Sequence, residues 1–179
     1  MQTLAYLGSK KKLQGTLYYI INSNIENLHS RCFADLFAGT GIISFGIQNK
    51  VKSVTACDLE YYSYVINSAL LKVNYTKKLK HIIKKLNSEI SDISDTFDTS
   101  ESPEEIELGL IERHFSPSGT EGRLFFTSLN ARMADHCRQR IREKYMDKTI
   151  TRGDKLFLLA SLLTSIDRVS NTSCVYCFF

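Results

Sequence analysis

The chain has 179 residues, 43% of them apolar, enough for a domain-sized unit with a buried core. A net charge of +4, from 23 basic and 19 acidic residues, excludes a histone-like tail but suits a polyanionic partner. No apolar run approaches the roughly 18 residues of a membrane span and no secretory-type segment opens the chain, which predicts a cytoplasmic protein with no membrane partner.

In chain order, Lys11 to Leu28 carries Leu13, Leu17, Ile20, Ile21, Ile25 and Leu28 at helical spacing and predicts an amphipathic helix. Cys32 to Phe37 is a short apolar run ending in Ala38-Gly39-Thr40-Gly41, a buried strand entering a glycine turn. Ile42 to Asn49 predicts a helix, Lys52 to Cys57 a second strand closed by Asp58, and Leu59 to Val73 another helix. Strand, helix, strand, helix implies an open, mostly parallel α/β sheet. Beyond it Lys77 to Lys85 is basic, with Leu79, Ile82, Ile83 and Leu86 interleaved, and Ser88 to Glu105 predicts a polar linker containing Pro103. Gly119 and Gly122 mark a loop, Ser128 to Tyr145 a polar helix, and Asp154 to Val169 a strongly apolar one. The five cysteines, Cys32, Cys57, Cys137, Cys174 and Cys177, are scattered; the Cys174–Cys177 pair has no second pair to complete a zinc site, so reduced thiols with no metal are expected.

The segment Phe37 to Gly41 carries the chemistry. A glycine turn at a strand end lets the backbone approach a ligand, because no Cβ intervenes. Asp58, seventeen residues after Gly41, falls at the end of the second strand, where a carboxylate can accept from both ribose hydroxyls of a nucleoside. A dinucleotide fingerprint needs a third small residue three positions after Gly41, where Ser44 stands. A pyrophosphate disfavours a flanking carboxylate, and Asp35 lies on the incoming strand; a cofactor with a free ammonium fits better. Both cofactor classes remain open on these residues alone.

Phe33-Ala-Asp-Leu-Phe-Ala-Gly-Thr-Gly41 closely resembles the first motif of the adenine-specific DNA methyltransferases, and Thr55 to Ser63 resembles their acidic second motif. Ahead of both, Tyr6-Leu-Gly-Ser-Lys10 is similar to the motif opening the subgroup whose cofactor half comes first. On its own, Lys10-Lys11-Lys12 reads as a solvated charge run. The resemblance implies a Rossmann-like methyltransferase fold with a helical insertion and S-adenosyl-L-methionine as cofactor. By the same resemblance Tyr6 and Lys10 contact the cofactor, Asp35 faces its ammonium, Phe37, Gly39 and Gly41 form the turn, and Asp58 holds the ribose. More loosely, Phe125 to Thr172 resembles the region where the family inserts its target-recognition segment, so the expected organisation is a cofactor-binding half over 1–75 and a mostly helical intermediate region over 76–179.

The family transfers methyl groups at an Asp-Pro-Pro-Tyr or Asn-Pro-Pro-Tyr loop that grips a flipped adenine. This chain has two prolines, Pro103 and Pro117, and they are not adjacent, so no catalytic residue is assigned. The expectation is an incomplete fold, inactive alone, from a truncated or frame-shifted chain or, as the alternative, a split enzyme completed by a separate chain carrying the catalytic half, with duplex DNA containing a target adenine as partner. Two rivals stand beside it. One is a nicotinamide-dependent oxidoreductase using the same turn; the other is a non-enzymatic DNA-binding module using the basic segment 77–85 with Arg132, Arg138, Arg140 and Arg142.

Overall fold

The structure, a computed structural model, describes residues 10–97 and 107–171 and divides the chain into two units, Met1–Val73 and Asn74–Phe179. In the first unit a 3₁₀ turn at Lys10–Leu13 leads into α1 (Gln14–Asn24), β1 (Cys32–Asp35), α2 (Ile42–Ile47), β2 (Ser53–Ala56) and α3 (Tyr61–Lys72). The first helix is shorter than its periodicity predicts. The Asn22 and Asn24 amides donate to the carbonyls of Tyr18 and Ile20, and Ile25 takes an extended backbone that ends the helix before Leu28.

The strands β1 and β2 pair in parallel, with Cys32 opposite Ser53 and Asp35 opposite Ala56. A parallel pair needs a crossover, and α2 supplies it. Exposure alternates along both strands: Cys32 and Ala34 are exposed while Asp35 is buried, and Ser53 and Thr55 are exposed while Val54 and Ala56 are half-buried. The expected buried strand is therefore corrected to a half-buried one. Its apolar run also ends early, because Leu36 and Phe37 lie beyond the ladder and are exposed. Ile43 and Ile47 of α2 and Val65, Ile66 and Ala69 of α3 make the core of this unit.

The second unit contains α4 (Lys77–Phe97), α5 (Leu110–Phe115), α6 (Ser128–Met146) and α7 (Arg152–Arg168). The predicted linker from Ser88 is, up to Phe97, the second half of α4. Its polar residues other than Glu89 are exposed, while Leu79, Ile82, Leu86, Ile90 and Ile93 extend one apolar stripe at helical spacing. Pro103 lies outside the described residues. Thr151 and Asp154 close a capping box at the start of α7 (3.1 and 3.0 Å), and Asp135 of α6 caps α5 by accepting from the Ile111 and Glu112 amides (2.7 and 2.8 Å). The Cys137 thiol is buried, which pushes its pKa up to about 11 and makes it an inert apolar group. Among the described residues no helix is long and apolar enough to cross a membrane, and no cluster of His, Cys, Asp and Glu could hold a metal.

Three of the four arginines of α6 are engaged by carboxylates. Arg132 meets Glu112, Arg138 meets Asp135, and Arg140 bridges Glu89 and Glu143. Arg140 beside Glu89, helped by His136, holds that carboxyl down to about 2 from an ordinary 4.5. A carboxyl whose pKa is depressed on folding stabilises the fold above its unfolded pKa and loses that contribution as pH falls through the folded one. The second unit should therefore weaken between about pH 4.5 and 2. Acid unfolding followed by circular dichroism checks this, and Glu89→Gln should show a shallower dependence across that window. An identical slope in the variant would remove Glu89 from the account.

Candidate cofactor site

The glycine turn sits where the two-stranded ladder runs out. The Cys57 amide donates to Asp35 O and the Ala38 amide to Cys57 O (2.8 and 2.9 Å), carrying the pairing one step past both strands. The chain then reverses: Gly39 and Gly41 have φ of +51° and +73°, the left-handed region that costs any residue with a Cβ. The Gly41 amide closes the turn on Ala38 O at 2.8 Å, and α2 begins directly after it.

Asp58 reaches across from the end of β2. Its Oδ2 accepts from the Gly39 amide at 2.7 Å and its Oδ1 from the Glu60 amide at 3.1 Å. The Gly39 bond above all, then the Glu60 bond, holds the Asp58 carboxyl below the usual carboxylate range, so it is ionised at neutral pH. Each oxygen keeps a further lone pair for another donor.

Asp35 is buried at the end of β1. Its Oδ1 accepts from Lys10 Nζ at 2.9 Å and its Oδ2 from Ser44 Oγ at 3.3 Å. Lys10 also donates to Phe37 O. Ser44, which fits a dinucleotide fingerprint poorly by sequence, is fully buried and orients the carboxylate of Asp35. Leu36 and Phe37 just before the turn, and Leu59 and Tyr61 just after Asp58, are all exposed and flank the polar groups with apolar surface.

Of the residues expected from sequence, the structure brings Lys10, Asp35, Phe37, Gly39, Gly41 and Asp58 together at one strand end; Tyr6 lies outside the described residues. Sequence reasoning missed three contacts: the hold of Ser44 on Asp35, and those of Ser63 and Asn67 of α3 on the Gly39 carbonyl. The available signal was two small polar residues at i and i+4 interrupting the apolar run of α3.

Residues 6–179 match the family described as D12 class N6 adenine-specific DNA methyltransferase. Among curated proteins the chain is similar to the type II methyltransferase M.CviAII of Paramecium bursaria Chlorella virus 1, at 35% identity over 98% of this chain and 49% of that protein. It is similar to the type II methyltransferase M.NlaIII of Neisseria lactamica at 36% identity, over 96% of this chain and 47% of the relative. The modification methylase LlaI of Lactococcus lactis subsp. lactis is 28% identical over 97% of this chain and 26% of the relative. No solved structure gives a significant match. The chain spans about half the length of the first two curated relatives. With a family match over nearly its whole length, the chain belongs to the D12 class N6 adenine-specific DNA methyltransferases.

Proposed function

We propose that this chain binds S-adenosyl-L-methionine at the glycine turn, as the cofactor-binding portion of an adenine-specific DNA methyltransferase with a Rossmann-like fold. Duplex DNA containing the target adenine is the proposed substrate of the whole enzyme. One observation carries this: two carboxylates on the ends of adjacent parallel strands flank a turn of two left-handed glycines. The residues suit the cofactor. Asp58 retains acceptor capacity for two ribose hydroxyls, Asp35 already accepts from an alkylammonium in Lys10, and Phe37 and Tyr61 offer exposed rings for a purine. Tyr6 and Lys10 are proposed as contacts from the opening segment. When bound, the cofactor supplies an electrophilic methyl group on its sulfonium; this chain's residues hold and orient it. Family membership argues against the nicotinamide alternative, as does Ser44 in place of a glycine.

Residues 76–179 are the proposed intermediate and target-recognition region. In support, Lys77, Lys80, Lys84 and Lys85 are all exposed on the first half of α4, which suits contacts to phosphates. Calorimetric titration of the chain with S-adenosylmethionine, and with NAD in parallel, tests the cofactor. Asp58→Ala should weaken S-adenosylmethionine binding by about 1.5–3 kcal/mol, the range for hydrogen bonds to a charged group. Asp58→Asn, which keeps one acceptor and the shape, should fall between. Binding of NAD alone, or unchanged affinity in Asp58→Ala, would refute this assignment.

A further inference from the structure

We propose that Ser63 and Asn67 of α3 are positioning residues for the cofactor turn, fixing the Gly39 peptide so that Asp58 and the backbone meet the ligand in one geometry. This rests on the cofactor assignment above; Ser63 closes the second motif without a role having been given to it, and Asn67 lies outside the motifs.

The geometry forms a closed network. Ser63 Oγ donates to Gly39 O at 2.6 Å, and Asn67 Nδ2 approaches the same oxygen at 3.0 Å. The Asn67 amide also reaches Ser63 O and Ser63 Oγ, at 2.9 and 3.1 Å, so the two side chains order one another. A carbonyl has two lone pairs, and both of Gly39's are taken from α3, while its N–H is taken by Asp58 at 2.7 Å. The residue whose missing Cβ leaves room for a ligand is thereby held through both of its flanking peptides. Ser63 is fully buried and Asn67 is 6% exposed, so water does not compete for these bonds.

Asn67 also shows the cost of the arrangement. Its Oδ1 is buried without a hydrogen-bond partner and lies against Gly41, where a Cβ would come within 2.4 Å of it. Exchanging the amide's oxygen and nitrogen would aim an acceptor at the Gly39 and Ser63 carbonyls, so the observed orientation follows from the network. A buried polar atom left unsatisfied calls for an explanation, and here it is the grip of Nδ2 on the turn. A residue that served only packing in this apolar helix would carry no such unsatisfied oxygen.

The test uses the whole chain with Gly39 labelled at its carbonyl carbon, and Ser63→Ala and Asn67→Ala beside the parent protein. Without ligand, the Gly39 carbonyl resonance should move upfield in both variants as it loses a donor. S-adenosylmethionine should then bind about tenfold more weakly, the expected effect of losing one or two such bonds. A purely structural role would lower the unfolding midpoint and leave the affinity of the folded protein unchanged; that outcome, or an unmoved Gly39 resonance, overturns the proposal. Should Asn67→Ala fail to fold, Ser63→Ala removes a single oxygen and carries both readouts. If the parent protein binds NAD and not S-adenosylmethionine, the cofactor assignment fails instead, which the parent titration alone reveals.

Discussion

Replacing Arg132 by alanine should destabilise the second unit by about 3–5 kcal/mol, the range for removing one partner of a buried ion pair. Glu112 is only 2% exposed, so its carboxylate depends on a fixed partner. Arg132 provides one in a forked arrangement: Nε approaches both Glu112 oxygens at 3.2 Å, and one terminal nitrogen reaches Oε1 at 2.8 Å. The same guanidinium stands 4.8 Å from the centre of the Phe97 ring. Without it the carboxylate must stay charged in the interior or take up a proton, and both are unfavourable. Arg132→Lys should recover only part of the loss, since a point charge cannot make the fork. Adding Glu112→Gln to Arg132→Ala should restore much of it by removing the stranded charge. Urea unfolding at neutral pH measures all four proteins, and a cost under about 1 kcal/mol for Arg132→Ala, the level of an exposed pair, would contradict the buried-pair account.

That ion pair marks a limit of what the sequence discloses. Four arginines on one polar helix read as a solvated face or as a surface for nucleic acid, because the partners of Arg132 and Arg140 are remote in the chain. Glu112 lies 20 residues from Arg132, and Glu89 lies 51 from Arg140. Only folding brings those carboxylates to α6, where they engage Arg132 and Arg140, while Arg138 pairs with Asp135 three residues before it. The lysines of α4 differ: Lys77, Lys80, Lys84 and Lys85 remain exposed.

The βαβα order from Cys32 to Val73 was legible because each element has its own period, and the glycines stand where the period changes. The ends were less so. Leu36 and Phe37 look like strand continuation, yet they pass beyond the last ladder bond and turn outward as exposed apolar groups. Ser88 to Phe97 looks like a linker by composition, but Ile90 and Ile93 continue the buried stripe of α4. At the site, residues with unusual chemistry for their position, such as Asp35 in an apolar run, announce themselves. Ser63 and Asn67 do not, because small polar residues in a helix are ordinary, and only their hold on Gly39 gives them meaning.

Gly41→Val should cost about 2–5 kcal/mol in stability of the first unit and abolish measurable cofactor affinity. Two terms make up that figure. A Cβ at φ +73° carries the left-handed penalty of about 1–2 kcal/mol, and a β-branched side chain sits worse than most. The same Cβ would stand 2.4 Å from Asn67 Oδ1, and overpacking of this kind adds roughly 1–3 kcal/mol. The two terms can be separated. In an Asn67→Ala background the clash disappears and the backbone penalty remains, so the added cost of Gly41→Val should fall to about 1–2 kcal/mol. Affinity should not return, because the trimmed residue is one that holds Gly39 in place. Thermal unfolding of the four proteins in the cycle, with S-adenosylmethionine titrated into each, measures both effects. Strict additivity of the two substitutions would mean that Gly41 and Asn67 do not meet, and would remove the steric half of the argument.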